Sequence, residues 1–310
     1  TAIGGLDTLE TQHLVMHTEG AEEVSPLTVP MMMANAAPAH ISMRHGLHGE
    51  TTAIVTACSS GAQAIIAGVR SILLGEADAA VVGGAEAGTT RFTRAIFNAA
   101  GAISPDGNST PFDEKRNGFN LGEGAGILVL ESAENARARG AEILGEIAGY
   151  GLSSDAHHIT APNPDGKYAY ALNRALETAG ATPEQVSYVN AHGTGTELND
   201  TTEVNVLRQA LGDALEDIPV SSTKSAIGHL FGAAGAVETI ATLQALRHGQ
   251  APPTLGLKNL DKRLGRVRIS GEPQDLAPGT FNAADGTPKR LGLSNSLGFG
   301  GHNVTLAIRA

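Results

Sequence analysis

One cysteine stands where the chain turns from a predicted strand into a predicted helix. The apolar run at residues 53–55 predicts a buried strand, and residues 61–74 predict a helix with small and aliphatic side chains on nearly every face. Cys58 therefore lies at or near a helix N-terminus, where unpaired N–H groups and the helix dipole favour a thiolate. A single cysteine is more often a buried, inert hydrophobe, but the elbow position predicts a nucleophile.

Two histidines follow predicted strands in the second half of the chain. His192 follows a strand at residues 186–190, and His229 follows Lys224 in the segment after a short strand end at residues 220–222. Parallel strands place ligand sites at their carboxyl ends, so both imidazoles are expected in one site. Either histidine alone would be read as a structural residue, and Lys224 alone as a solvated cation. Together with Cys58 they indicate a Cys–His–His site for covalent catalysis.

No metal site is predicted, because one cysteine with two remote histidines does not make a closed zinc set. Glu238, in the helix after His229, would ordinarily pair with a lysine or arginine. A third segment of the second half carries Phe299 between glycines, which gives an aromatic side chain room to swing.

Strands and helices alternate along the chain to position these residues. Further strands are predicted at residues 78–85, 124–131, 144–151, 266–269, 290–293 and 303–309, and helices at residues 6–17, 34–45, 132–140, 167–179, 199–211 and 232–248. The polar segment at residues 101–119, rich in Pro, Asp, Asn and Gly, predicts an exposed loop. The alternation predicts an α/β fold with at least partly parallel sheets. We expect two pseudo-equivalent halves, residues 1–151 with the cysteine and residues 152–310 with the histidines, joined near Gly151.

Composition excludes several classes of protein. The 310 residues carry a formal net charge of −11, which argues against binding nucleic acid through a basic face. Charged residues make up only 17% of the chain, which indicates surface buried in an oligomer. A single cysteine excludes an internal disulfide framework and fits a cytoplasmic location. We find neither an apolar run of about 18 residues nor a secretory signal.

The motifs TACSSG, GGAE, PFDEKRNGF, LGEGAG, VNAHGTGT, SSTKSAIGHLFGAAGAVE and NSLGFGGHN occur in this order. This set resembles the β-ketoacyl-[acyl-carrier-protein] synthases of the type II elongating class, over essentially the whole chain. The resemblance implies a thiolase fold, with two mixed-sheet halves in α-β-α-β-α layers. It also implies a dimer, either a homodimer or a heterodimer with a chain-length partner that lacks the cysteine. Compared with the family, about the first quarter is absent, so we expect the chain, which starts at Thr1, to be a fragment.

The implied reaction is a decarboxylating Claisen condensation of an acyl chain on Cys58 with malonyl-[acyl-carrier-protein], without redox cofactor or metal. His192 and His229 would promote decarboxylation and bind the enolate. Lys224, paired with a buried Glu238, and Asp200 would support them. Among the remaining implied roles, Thr194 and Thr196 contact the phosphopantetheine arm, and Phe299 with Gly300 forms the gate and oxyanion region. The oxyanion hole itself is made by the backbone N–H groups of Cys58 and Phe299. An acyl pocket is implied at Ile3, Thr28 and Phe97.

Several alternatives stay open. The chain could be a non-catalytic subunit of a ketosynthase heterodimer, or an acyltransferase that uses Cys58 without decarboxylation. The loop after His192 reads TELND, Gly101 replaces a common arginine, and Thr28 replaces a bulky aromatic residue. These departures favour type II polyketide synthesis over fatty-acid synthesis. The smaller residue Thr28 would also lengthen the acyl pocket of the partner subunit.

Overall fold

The computed structural model describes residues 1–164, 169–282 and 287–310. Its helices are α1 (Leu6–Thr18), α2 (Thr28–Met32), α3 (Ala36–His45), α4 (Ser60–Leu73), α5 (Arg91–Ala99), α6 (Ala133–Ala138), α7 (Ala169–Ala179), α8 (Glu197–Leu211), α9 (Lys224–Ile227) and α10 (Ala234–His248). Its strands are β1 (Ala79–Glu86), β2 (Gly124–Glu131), β3 (Glu146–Ser154), β4 (Val186–Asn190), β5 (Pro219–Ser221), β6 (Gln250–Ala251), β7 (Arg268–Ile269), β8 (Gln274–Asp275), β9 (Phe281–Asn282), β10 (Pro288–Lys289), β11 (Leu291–Gly298) and β12 (His302–Arg309). Over these three ranges, no helix combines the length and the apolar character that crossing a bilayer would need.

The larger sheet is mixed, in the order β3-β12-β11-β4-β5-β7. Strands β11, β4, β5 and β7 run parallel, whereas β12 is antiparallel to both of its neighbours. Strands β1 and β2 form a separate antiparallel pair. The predicted α/β class with mixed sheets is therefore confirmed. The predicted boundary at Gly151 falls inside β3, which pairs with β12. The division into two halves and their equivalence stay predictions.

Helices α4 and α10 contact each other and lie between the two sheets. Ile65 and Ile66 of α4 share one buried cluster with Leu246 of α10 and Leu306 of β12. Each such side chain stabilises the fold by about 1.5–3 kcal/mol when fully buried. Helix α7 packs on the opposite face of the larger sheet, against β3 and β12. The strand pair, helices α4 and α10, the larger sheet and helix α7 therefore form four consecutive layers of the predicted five.

Glycines set the close approach of α4 to its neighbours. A Cβ at Gly61 would lie 2.8 Å from the carbonyl oxygen of Gly232, and one at Gly68 would lie 2.4 Å from Val82 Cγ1. Both distances are shorter than side chains tolerate, so any larger residue would push α4 away from β1 and from the turn before α10. The position of Cys58, just before α4, depends on this packing.

Two local predictions are wrong. Residues 51–55 form no strand, and Val55 is 53% exposed, because no strand among the described residues pairs with this run. A short apolar run does not by itself distinguish a strand from other apolar segments. The polar segment at residues 101–119 is a loop, as predicted, but it is not simply exposed, since Phe112 and Arg116 are buried within it.

Candidate active site

A tight elbow presents Cys58 at the start of α4. Ala57, just before it, has a φ of 51°, in the left-handed region that costs a non-glycine residue about 1–2 kcal/mol. The hydroxyl of Ser60 accepts a hydrogen bond from the Thr56 N–H at 2.9 Å and donates one to the Ala57 carbonyl at 2.6 Å. These two bonds lie on either side of Ala57, so they stabilise the strained turn and fix the direction of the cysteine side chain.

The thiol of Cys58 is not activated in the way the sequence predicted. Burial raises its pKa to about 11, and the opposing effect of the Lys224 charge is smaller. The backbone N–H groups of Phe299 and of Cys58 itself donate to the sulfur and also lower its pKa. The prediction of a favoured thiolate is therefore wrong, because loss of hydration outweighs the helix terminus. The two N–H donors are those predicted for the oxyanion hole.

This raised pKa gives a direct chemical test. Because only the thiolate reacts with iodoacetamide, alkylation of Cys58 should increase about tenfold per pH unit throughout the range below the pKa. The rate should still be rising at pH 9.0, the ordinary thiol value, and level off near the raised pKa of about 11. Intact mass after short, quenched exposures measures the rate, and a plateau near the ordinary value would contradict the effect of burial.

His229 lies directly beside the nucleophile. Its Nε2 is 3.1 Å from Cys58 Sγ, and its Nδ1 accepts a hydrogen bond from the Phe231 N–H at 3.3 Å. Since Nδ1 acts as an acceptor, the ring proton of the neutral imidazole is on Nε2, facing the sulfur. Burial, aided by the Lys224 charge, lowers the pKa of His229 well below its usual value, so the ring is neutral near pH 7.

His192 faces His229 in a T-shaped arrangement, with ring centroids 5.4 Å apart. Lys224 Nζ lies 3.2 Å from His192 Nδ1 and donates to it, so this ring also carries its proton on Nε2. Burial is the main cause that lowers the pKa of His192 well below its usual value, and the Lys224 charge adds to it. The site therefore holds two neutral imidazoles, each with an Nε2–H to donate.

Lys224 and Glu238 form an ion pair that is buried on both sides. The sequence predicted this pair. Burial raises the pKa of the Glu238 carboxyl, and the adjacent Lys224 ammonium opposes that effect. Lys224 thus has two partners, a carboxylate that holds it in place and the imidazole of His192 that it orients.

Two further carboxylates hold the loop that carries His192. Glu203 accepts the backbone N–H groups of His192 at 2.7 Å and Gly193 at 2.8 Å, and burial raises its pKa to about 7. The predicted Asp200 accepts the N–H groups of Phe112 at 2.8 Å and Gly195 at 3.1 Å. Sequence reasoning missed Glu203. Glu203 follows Asp200 by three residues on α8, so the sequence already placed both carboxylates on the same face of the helix.

The loop after β4 also carries the residues predicted to contact phosphopantetheine. The hydroxyls of Thr194 and Thr196 are 2.9 Å apart, two and four residues beyond His192. Phe299, the predicted gate, is 45% exposed while its N–H donates to the cysteine sulfur. The Gly300 N–H instead donates to the Ile159 carbonyl at 2.7 Å. A role of Gly300 in the gate and oxyanion region stays a prediction.

The three predicted acyl-pocket residues lie in different surroundings. Phe97 stacks on Phe231, 5.1 Å between centroids, which places it one aromatic ring away from His229. Ile3 lies close to Gly88, just after β1. Thr28 instead borders a small cavity of about 160 Å³ between α1 and α2. A role of Thr28 in the pocket of a partner subunit stays a prediction.

No group of three or more His, Cys, Asp or Glu side chains in the described part of the chain could hold a metal ion. One histidine pair has the spacing of two metal ligands on a helix, His13 and His17 on α1, with their Nε2 atoms 3.1 Å apart. This pair is exposed and belongs to a helix that carries none of the residues of the Cys–His–His site.

Known proteins share this sequence and fold. Residues 1–136 match the N-terminal domain and residues 144–258 the C-terminal domain of beta-ketoacyl synthases. A 3-oxoacyl-[acyl-carrier-protein] synthase 2 from Synechocystis is 44% identical over all of this chain and 73% of its own length. The ishigamide ketosynthase/chain length factor superposes with a TM-score of 0.87 at 37% identity, over 98% of this chain and 72% of that one.

A second solved structure is a type II polyketide ketosynthase with its acyl-carrier protein, bound to a hexaketide. It superposes with a TM-score of 0.90 at 30% identity, over 100% of this chain and 76% of that one. Together, the mixed sheets around paired central helices and the site of one cysteine and two histidines define a condensing acyltransferase of the thiolase fold. Within that class, the chain belongs to the β-ketoacyl synthase family.

Proposed function

We propose that this chain extends an acyl chain by two carbons through decarboxylating Claisen condensation. The observation that carries the proposal is the position of His229 Nε2, 3.1 Å from Cys58 Sγ, next to a second neutral imidazole. A nucleophile flanked by two uncharged N–H donors suits a reaction that develops an oxyanion after the enzyme has been acylated.

In the first half-reaction, Cys58 Sγ attacks the thioester carbonyl of an acyl-carrier protein. The N–H groups of Cys58 and Phe299, which donate to the sulfur in the free enzyme, lie next to the developing oxyanion. The C–S bond to phosphopantetheine breaks, and the proton from Sγ ends on the released pantetheine thiol. The thiol pKa of about 11 means that this proton leaves during acyl transfer rather than beforehand.

In the second half-reaction, malonyl-carrier protein loses CO₂ and leaves an enolate thioester. The Nε2–H groups of His192 and His229 donate to the enolate oxygen, which stabilises it without a net charge on either ring. The enolate carbon then attacks the acyl carbonyl on Cys58, a C–C bond forms, and the cysteine leaves as a thiolate that takes up a proton. The product is the 3-oxoacyl thioester of the carrier protein.

The proposed partner is an acyl carrier protein, supported by the carrier protein in one structural relative and by the names of the curated relatives. The ketosynthase/chain length factor among the relatives supports a heterodimer as one form of the assembly, and a homodimer is the other. Proton transfer and hydrogen bonding account for every step, so we propose no cofactor beyond the phosphopantetheine of the carrier. The acyl substrate belongs to either fatty-acid or polyketide synthesis.

Intact mass and CO₂ release test this function together. The protein should gain one acyl group from an acyl-carrier protein, and Cys58→Ala should not. After acylation, malonyl-carrier protein should yield CO₂ and a product two carbons longer. Acylation without CO₂ release would instead indicate an acyltransferase, and a folded protein that gains no acyl group would indicate a non-catalytic subunit.

A further inference from the structure

The GGAE motif of the sequence ends β1 with a buried carboxylate that the proposed reaction does not use. Glu86 is 4% exposed. Its Oε2 accepts the Gly232 N–H at 3.0 Å and the Ala2 N–H at 2.6 Å, and its Oε1 accepts the Thr1 hydroxyl. A single carboxylate thereby ties the turn after His229 to the first residues of the chain.

The bond to Gly232 acts on the turn that follows His229. Phe231 has a φ of 46°, in the left-handed region that a bulky residue adopts only when its surroundings impose it. Gly232 follows directly, in the turn before α10, where backbone N–H groups have no partner within the helix. The Glu86 carboxylate accepts one of these N–H groups and so holds the strained turn.

The Phe231 N–H determines the proton position on His229. It donates to Nδ1 at 3.3 Å, which leaves the ring proton on Nε2 toward Cys58. A change in the Phe231 turn would therefore weaken this donor and free the ring to place its proton on Nδ1. In that form, His229 presents a lone pair instead of an N–H to the enolate.

The same carboxylate also orders the segment that carries Ile3, a predicted acyl-pocket residue. The Thr1 hydroxyl donates to Glu86 and accepts the N–H groups of Gly4 at 2.9 Å and Ile3 at 3.4 Å. A Cβ at Gly232 would lie 2.2 Å from the Ala2 nitrogen, so the two segments are in close contact. Glu86 is the side chain that joins them.

We propose that Glu86 is a positioning residue for His229. By holding the Phe231–Gly232 turn, it keeps the ring proton of His229 on Nε2, toward Cys58. This inference rests on the proposed condensation. Glu86 makes no hydrogen bond to Cys58, so it acts on decarboxylation and C–C bond formation more than on acylation. Acylation uses the sulfur and the N–H groups of Cys58 and Phe299. We therefore expect a change at Glu86 to slow condensation more than it slows acylation.

The test compares acylation and condensation in Glu86→Gln. The amide keeps the shape but loses the charge. Its oxygen, in the place of Oε2, accepts from Gly232 and Ala2 more weakly, and its NH₂ replaces the oxygen that accepts from the Thr1 hydroxyl. Acylation of Cys58, measured by intact mass, should fall by a smaller factor than condensation, because Cys58 is linked to this turn only through the packing of α4. The kcat of condensation should fall by about 10- to 100-fold, the cost of displacing a reacting group by about 1 Å, while KM for malonyl-carrier protein stays unchanged.

Asp113→Asn is the matched control. Asp113 is also buried, and its carboxylate accepts three backbone N–H groups, from Lys115 at 2.9 Å, Lys258 at 2.8 Å and Asn259 at 3.0 Å. It should lower thermal stability as Glu86→Gln does and leave the ratio of condensation to acylation unchanged. Glu86→Asp, which keeps the charge on a shorter side chain, should lower the same ratio by a smaller factor.

The tautomer of His229 provides a readout that needs no turnover. In protein labelled with ¹⁵N-histidine, the ring nitrogen shifts should show the Nε2–H form for His229 in the wild type and a mixture of forms in Glu86→Gln, with His229→Gln used for assignment. A wild-type protein that releases no CO₂ would overturn the proposed function alone. An unchanged tautomer and ratio in Glu86→Gln, or an equal loss of both half-reactions, would overturn the role of Glu86.

Discussion

Replacement of His229 by alanine is expected to lower CO₂ release from malonyl-carrier protein by about 100- to 1,000-fold, the cost of removing one preorganised oxyanion donor. The Nε2–H that faces Cys58 is lost, and no other side-chain donor lies as close to the sulfur in the described residues. Acylation of Cys58 should persist, because the N–H groups of Cys58 and Phe299 remain. Intact mass measures acylation, and trapped ¹⁴CO₂ measures decarboxylation.

The identity of the replacement distinguishes donation from proton transfer. His229→Gln places an amide N–H near the position of Nε2, so it should retain more decarboxylation than His229→Ala. The exposed His248, at the end of α10, offers a matched His→Ala control that should leave both half-reactions intact. Equal activity in the alanine and glutamine variants would show that hydrogen-bond donation is not the role of the ring.

The residues of the site could be predicted from sequence because each one follows a recognisable local pattern. Cys58 stands before a helix of small residues, and His192 and His229 stand beyond strands β4 and β5, so their meeting follows from the geometry of a parallel sheet. The pairing of Lys224 with Glu238 is implied by the family resemblance, and it agrees with the need of a buried lysine for a counter-charge.

The electrostatic state of the site could not be predicted in this way. The helix N-terminus beside Cys58 is a local feature, whereas the burial that raises its pKa comes from residues far apart in sequence. The roles of Glu203 and Glu86 could not be predicted for the same reason. Each accepts backbone N–H groups of a distant loop. The sequence does not indicate which backbone N–H groups a side chain will bind. The missing strand before Cys58 is another case, since a strand exists only when another strand pairs with it.

Replacement of Lys224 by methionine is expected to lower the free energy of unfolding by about 3–5 kcal/mol, as for other buried ion pairs that lose one partner. Methionine fills a similar volume but leaves the Glu238 carboxylate without its counter-charge in a site that excludes water. Urea unfolding measures the loss. The exposed Lys262 gives the matched Lys→Met control, which should change stability by no more than about 0.5 kcal/mol.

The loss of stability in Lys224→Met should depend on pH. Burial raises the pKa of the Glu238 carboxyl, and the variant lacks the ammonium that opposes this effect. The folded variant therefore keeps a proton above pH 4.5, the ordinary carboxyl value, where the unfolded chain releases it. Its stability relative to the wild type should fall as pH rises from that value toward neutrality. A constant difference over this range would contradict an unpaired Glu238 as the cause.

The double variant Lys224→Met/Glu238→Leu separates stability from catalysis. With both charges removed, most of the lost stability should return, because an apolar pair of similar volume avoids the cost of burying ions. CO₂ release should not return, since His192 Nδ1 still lacks the Lys224 donor that keeps the ring proton on Nε2. We expect decarboxylation to remain about 100- to 1,000-fold below the wild type, the effect of losing one oxyanion donor. If stability and CO₂ release both return, Lys224 serves only to neutralise Glu238. If stability alone returns, Lys224 also orients His192.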